Sequence, residues 1–230
     1  GVGAVTQKNI LLHNPSTEKL AGFFSCATNT AWLISHKANN SEFYCYAIDS
    51  SGINLNPVIS AVGSVNPSGQ WGVVNNSAGQ MTIGKMGNKI ASAKYLAGTI
   101  EIFDFDILTG IVSSPLMITG FNNAWGLEFS ADGTKLYASQ WFSDVITQFD
   151  ITSNNLFTIL GSETIVGYAA GGGGYNAGFM QRGPNDKIYI AKWSSSYLAV
   201  INQPNLSGSN CLFVDNGISL GTGASTAGLS

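Results

Sequence analysis

Apolar residues along this chain recur in short runs with a period of two, and the runs are parted by clusters of Gly, Asn, Asp and Ser. That is the signature of half-buried strands joined by tight turns. The clearest case is Ala124–Asp150, AWGLEFSADGTKLYASQWFSDVITQFD. A strand-like run, Trp125–Phe129, meets a turn at Ala131-Asp132-Gly133, a second run covers Lys135–Ser139, and a third, Asp144–Asp150, follows a loop around Trp141. Asp and Gly belong in such a turn because Asp bonds the backbone two residues on and Gly tolerates a positive φ.

The same pattern is written four times. The first copy, residues 20–63, holds LAGFFS, AWLISHK, EFYCYAI and a fourth strand within Pro57–Gly63. The second, 79–119, holds QMTIG, KIASAK, TIEIFDF and SPLMIT, and the third, 124–160, adds LFTIL as its fourth strand. The last copy, 176–216, holds GFMQR, KIYIAK, YLAVIN and CLFVD. Residues 1–19 read as one lone strand, Lys8–Leu12, with a turn-rich linker HNPSTEK, and 217–230 as a tail. Aligned on Asn29, Asn88, Gly133 and Asp186, the first turns recur at intervals of 59, 45 and 53 residues. Repeats of roughly 40–50 residues with four strands each are propeller blades.

The predicted fold is therefore all-β, a β-propeller of four-stranded antiparallel blades. A single four-stranded meander leaves both faces bare, whereas blades set radially bury each face against a neighbour and leave only short outer edges. An immunoglobulin-like sandwich is the alternative, but it calls for no such self-similarity. No sustained 3.6-residue apolar period supports a helical solenoid. Four complete repeats and one strand suggest part of a longer polypeptide with a larger ring; alternatively the ring closes with Lys8–Leu12 supplying part of a fifth blade, or through a partner chain.

Composition narrows the function. Charged residues are only 10% of the 230, against about 25% in an average domain, so the polar surface is mostly hydroxyl and amide. Ten Lys+Arg face thirteen Asp+Glu, a net charge of −3 with no basic run, which excludes the electrostatic footprint of nucleic-acid binding. Cys26, Cys45 and Cys211 show no CxxC spacing, and with only His13 and His36 they make no zinc set. Their odd number allows at most one internal disulfide, and they read as small buried or half-buried strand residues. No apolar run approaches the roughly 20 residues of a membrane helix.

Antiparallel connections alternate between the two faces of a propeller. The second-to-third-strand loops (His36–Ser41, Tyr95–Gly98, Gln140–Ser143, Trp193–Ser196) then share a face with the long connections Ser64–Gly79 and Gly161–Ala177. Binding residues concentrate in loops on a rigid scaffold, and Trp71, Trp125, Trp141 and Trp193 all fall on or near that face. A loop tryptophan offers an apolar plane and one donor, suited to a sugar ring or a protein partner. Trp125 opens an inner strand, a position that is more often a plug of the central channel or inter-blade core than a binding surface, while Trp32 lies inside a strand and reads as core. Tyr95 and His36 complete the candidate set.

Catalytic and cofactor signals are weak. His36 occupies the repeat position of Lys94, Gln140 and Lys192, a spread of chemistries that argues against a required ligand. Asp104, Asp106 and Asp150 end third strands, where carboxylates cap turns. The run AAGGGGY (Ala169–Tyr175) lacks the Lys-Ser/Thr and helix start of a phosphate loop, and there is no GxSxG elbow. No cofactor or metal is expected.

The segments EKLAGFFSCATNTAWLISH, IEIFDFDILTG, AWGLEFSADGTKLYAS, QRGPNDKIYIAK and LAVINQPNLSGSNCLFVDNGISLG together resemble the WD40-like propeller repeats of large secreted surface proteins of gliding Bacteroidota. These are gliding-motility-associated proteins and cargo of the type IX secretion system. The resemblance implies a secreted or cell-surface location, more propeller before Gly1 and after Ser230, and a role in adhesion. The expectation is a non-catalytic binding and display module that engages protein or glycan through its loop-bearing face. The alternative is a propeller enzyme, lactonase-like or glycan-cleaving, with its site at the channel mouth.

Overall fold

The computed structural model describes residues 8–69, 76–173 and 176–228. Each apolar run of period two becomes a strand, and the strands hydrogen-bond into four antiparallel sheets. Blade 1 comprises β1 (Ser16–Ser25), β2 (Thr30–Lys37), β3 (Glu42–Asp49) and an outer edge in two pieces, β4 (Gly52–Ile53) and β5 (Val58–Ala61), both paired with β3. Blade 2 runs β6 (Met81–Ile83), β7 (Lys89–Lys94), β8 (Thr99–Phe105) and β9 (Val112–Thr119). Blade 3 runs β10 (Ala124–Phe129), β11 (Lys135–Gln140), β12 (Val145–Asp150) and β13 (Thr164–Tyr168). Blade 4 runs β14 (Ala177–Arg182), β15 (Ile188–Lys192), β16 (Tyr197–Ile201) and β17 (Phe213–Ser219). Set round a common axis, they form a four-bladed β-propeller.

Apolar clusters fill the seams between successive blades. Trp32, Ile34, Phe43 and Cys45 meet Ile90, Phe103 and Phe105 between blades 1 and 2. Ile100 and Ile102 meet Leu127, Leu136 and Phe149 between blades 2 and 3. Tyr137 and Ile146 meet Met180, Ile188 and Ile190 between blades 3 and 4. Each large side chain buried in this way contributes roughly 1.5–3 kcal/mol. Among the described residues no comparable cluster joins blade 4 to blade 1. Their inner strands instead face the same central cavity, with Ala21 and Gly22 on one side and Phe179–Arg182 on the other. The inner strands approach so closely that a Cβ on Gly126 would stand 2.3 Å from the Gly178 carbonyl oxygen.

Three expectations are corrected. LFTIL is not a strand: Leu156–Gly161 is a short helix, α1, whose N-cap Asn155 side chain accepts the Thr158 N–H at 3.2 Å. An Asn in the cap position decides between helix and strand for a five-residue apolar run that fits both, and the fourth strand of blade 3 is supplied instead by Thr164–Tyr168, inside the stretch expected to be a loop. Lys8–Leu12 is not a strand either. That segment finds no sheet edge, and His13 behind it stacks on Tyr44, ring centroids 4.5 Å apart, while Tyr46 donates to the Leu12 carbonyl.

The stretch 217–230 is not simply a tail. Its start completes β17, and Ser225 pairs with Ser195. The Ala227 carbonyl accepts the Phe179 N–H at 2.7 Å, just as the Trp125 carbonyl accepts that of Gln80 at 2.8 Å. Residues 225–227 thus lie along blade 4 as an inner strand lies along the blade before it.

Candidate functional site

The second-to-third-strand loops and the blade-to-blade connections meet on one face. Trp141 and Trp193, at the first positions after β11 and β15, donate their backbone N–H to the Asn123 and Asn176 carbonyls at 2.9 and 3.1 Å. The Asn66 carbonyl likewise accepts from Asn39. The opposite face carries the tight turns. Gly133, at φ +72°, donates to the Ser130 carbonyl there, and Asp132 accepts from Ser130 and Thr134.

On the loop-bearing face the aromatic residues assemble into one connected row. Trp125 is its centre, with Trp141 at 4.4 Å between centroids, Phe179 stacked at 5.2 Å and Tyr95 edge-on at 5.7 Å. Trp193 continues the row, edge-on to Trp141 at 5.9 Å. Depth divides the row in two. Trp125 and Tyr95 are buried, 5% and 7% exposed. Trp141 and Trp193 are half-buried, and Phe142 beside them is 53% exposed. Trp125 Nε1 is buried without a hydrogen-bond partner, a state that costs about 1–3 kcal/mol.

Below the same face, the seam between blades 1 and 2 is charged. Lys94 pairs with Glu101 at 2.6 Å, both side chains almost fully buried, and also donates to Ser64, whose N–H in turn bonds Glu101 at 2.8 Å. Lys19, fully buried, donates to the carbonyls of Ala78, Gly79 and Ala93. Burial lowers the Lys19 pKa to about 7, with nearby Lys94 adding to the effect. His36 is 1% exposed, edge-on to Phe43 and within 3.0 Å of the Asn66 side chain. Burial lowers its pKa to about 4, so it is neutral at ordinary pH.

A third region sits on the propeller axis, a cavity of about 320 Å³ lined by inner-strand residues of all four blades. Gln80 knits its wall: the side-chain amide donates to the Met180 carbonyl and accepts the N–H groups of Leu127 and Met180. Glu128, 7% exposed, accepts from Thr82 Oγ1, the Phe129 N–H and the Arg182 N–H. Burial raises its pKa to about 7 against the pull of Arg182.

The sequence-derived candidates therefore divide. Trp125, Trp141, Trp193 and Tyr95 come together on one face, the first and last of them in its floor. His36 lies in the charged seam away from the surface, and Trp71 lies outside the described residues. Asp106 and Asp150 cap turns, accepting from Leu108 and Thr152, and Asp104 pairs with Lys89. All three cysteines are free; Cys45 is a buried strand residue as expected, but Cys26 is exposed in the turn after β1 and Cys211 is buried at the end of a 3-10 turn, Gly208–Cys211, so neither of these two is a strand residue. Glu128 and Arg182 were not singled out from the sequence. The available signal was a charge near the end of a mostly apolar inner strand, AWGLEF and AGFMQR.

No protein-family model matches the chain, and no curated protein sequence is similar to it. Solved structures share its fold. A candidate 6-phosphogluconolactonase of Bacteroides uniformis superposes with a TM-score of 0.54 at 18% identity, over 87% of this chain and 54% of that one. A catalytically inactive virginiamycin B lyase of Staphylococcus aureus gives 0.54 at 12% identity, over 90% and 58%. The WD40 repeats of RRP9 give 0.50 at 14%, over 85% and 50%. The chain thus spans about half the length of the structures it matches, and its fold is that of a WD40-like β-propeller.

Proposed function

We propose that the protein is a binding and display module of a secreted or cell-surface protein, engaging a protein or glycan partner through its loop-bearing face and performing no chemistry of its own. The aromatic row carries this reading. Trp141 and Trp193 stand half-buried at equivalent loop positions over a rigid floor of Trp125, Tyr95 and Phe179. Flat apolar planes held in place suit stacking on sugar rings or seating a partner's side chains at little entropic cost. The resemblance to surface proteins of gliding Bacteroidota and type IX secretion cargo supports the location, as does the low charge. Lactonase and lyase are names of neighbouring structures. A hydrolytic reading here would call for paired carboxylates or a histidine with a carboxylate, whereas the described lining of the axial cavity supplies one carboxylate, Glu128, and no histidine.

The test uses the full chain on a glycan array, with hits confirmed in solution by tryptophan fluorescence. The double variant Trp141→Ala/Trp193→Ala should bind the hit at least tenfold more weakly while its Tm falls by only a few degrees. If the variant loses cooperative unfolding, the two rings are core. If binding is unchanged, the face is wrong.

A further inference from the structure

The axial cavity runs along the inner strands from Phe179 of the aromatic row toward the tight-turn side. β10 runs from Ala124, beside the loops, to Phe129, next to the Ser130–Gly133 turn, and β14 runs from Ala177 to Arg182, next to the turn at Gly183–Asp186. Glu128 and Arg182 therefore both sit toward the tight-turn side. Arg182 is part of the cavity lining, and its Nη1 is buried with no acceptor in hydrogen-bond reach. Its Nε lies 3.9 Å from Asp186, but both oxygens of that carboxylate accept from Lys85 at 2.8 Å. The guanidinium borders the cavity, and its buried Nη1 is a donor that no protein acceptor matches. Buried donors in native proteins are almost always matched, so an arginine of this kind marks a place where an acceptor belongs.

We propose that this cavity is a second binding site, one that takes a small hydroxylated carboxylic acid such as a sugar acid, its carboxylate against Arg182 and its hydroxyls toward Glu128 and Gln181. The charge favours a monoanion, because one guanidinium matches one carboxylate in a planar two-bonded fork. A phosphate dianion would sit beside Glu128 with only that single cation to neutralise it. The neighbouring groups favour hydroxyls: Glu128 keeps about one lone pair beyond its three protein donors, on the oxygen that accepts from Arg182 N–H, and the Gln181 side chain is exposed at the cavity wall. Gln80, whose amide is spent on three inner-strand backbone groups, fixes the wall and leaves recognition to the others. The site goes beyond the loop-face reading and uses none of its half-buried tryptophans.

Calorimetry and NMR titration of the full chain with D-glucuronate test it, with D-glucose and inorganic phosphate as controls. Glucuronate should bind at least tenfold more tightly than either control. Arg182→Gln should abolish the preference, and Arg182→Lys, which keeps the charge but loses the fork, should weaken it about tenfold. Glu128→Gln should tighten glucuronate binding a few-fold by removing a neighbouring negative charge, a gain that a purely structural role would not produce. Trp141→Ala/Trp193→Ala should leave it unaltered. Equal binding of glucose, displacement by phosphate, unaltered affinity in the folded arginine variants, or no binding of glucuronate to the folded wild type each overturns the proposal.

Discussion

The floor of the loop-bearing face is closed in two ways. Over blades 2 to 4 it is aromatic, Tyr95, Trp125 and Phe179 packed ring on ring. Over the seam between blades 1 and 2 it is ionic, Lys19, Lys94 and Glu101 buried among backbone carbonyls. Both solutions exclude water, but they depend on different physics. Rings tolerate an imperfect fit and leave at most a polar tip unmatched, as Trp125 Nε1 is. A buried charge tolerates nothing, since its desolvation is repaid only by a complete set of partners. The aromatic part is thus free to extend outward into Trp141 and Trp193 as a contact surface, while the ionic part holds the long connection of residues 62–69 and 76–80 against the blades.

The largest effect should come from breaking the ionic side. Glu101→Ala strands the Lys94 ammonium and removes the acceptor of the Ser64 N–H. Removing one partner of a buried pair costs about 3–5 kcal/mol, which denaturant unfolding would read as a large drop in midpoint. A loss near that of an exposed pair, under about 1 kcal/mol, would show that the seam is wet.

This division was only half legible in the sequence. The strands were readable because period two and Asp-Gly turn chemistry are local, as at Ser130–Gly133. The face carrying the loops followed from antiparallel geometry alone. Depth was readable only in part: the place of Trp125 at the start of an inner strand points to core, but Trp141 in its loop suits core or surface, and packing around Tyr95 and Phe179 is what makes one floor and the other surface. LFTIL misled because a short run of four apolar residues around one Thr suits either secondary structure, and the deciding contact is one side-chain bond to Asn155. Glu128 and Arg182 stayed hidden because they meet across a 54-residue separation, through the curvature of the ring.

A second effect separates the regions by pH. His36 belongs to the ionic seam, and burial lowers its pKa to about 4 from 6.5. The unfolded chain therefore binds the extra proton first, and stability present above pH 6.5 is lost as pH falls toward 4, by up to ~3 kcal/mol. Glu128 opposes this, since its pKa is raised to about 7 and protonation between pH 7 and 4.5 favours the folded state. The wild-type curve mixes the two. The difference between wild type and His36→Gln isolates the first and should narrow on acidification through that window. A difference independent of pH would mean that burial does not hold His36 below its ordinary pKa. The aromatic floor carries no carboxylate or imidazole and should contribute no such slope.

The smallest effect uses the repeat itself. Lys192 stands in blade 4 where Lys94 stands in blade 2, and it too has a nearly fully buried side chain, but its partner Asp215 is 34% exposed and Asn216 shares the ammonium. A pair whose carboxylate meets water has paid little desolvation, and its loss leaves an aspartate that solvent can satisfy. Lys192→Met keeps the buried methylene stem and removes only the charge. It should cost about 1 kcal/mol or less by denaturant unfolding, several-fold below Glu101→Ala. Equal losses at the two positions would show that the second-strand lysine is a general requirement of each blade, and that the contrast between an ionic and an aromatic floor is not what sets the cost.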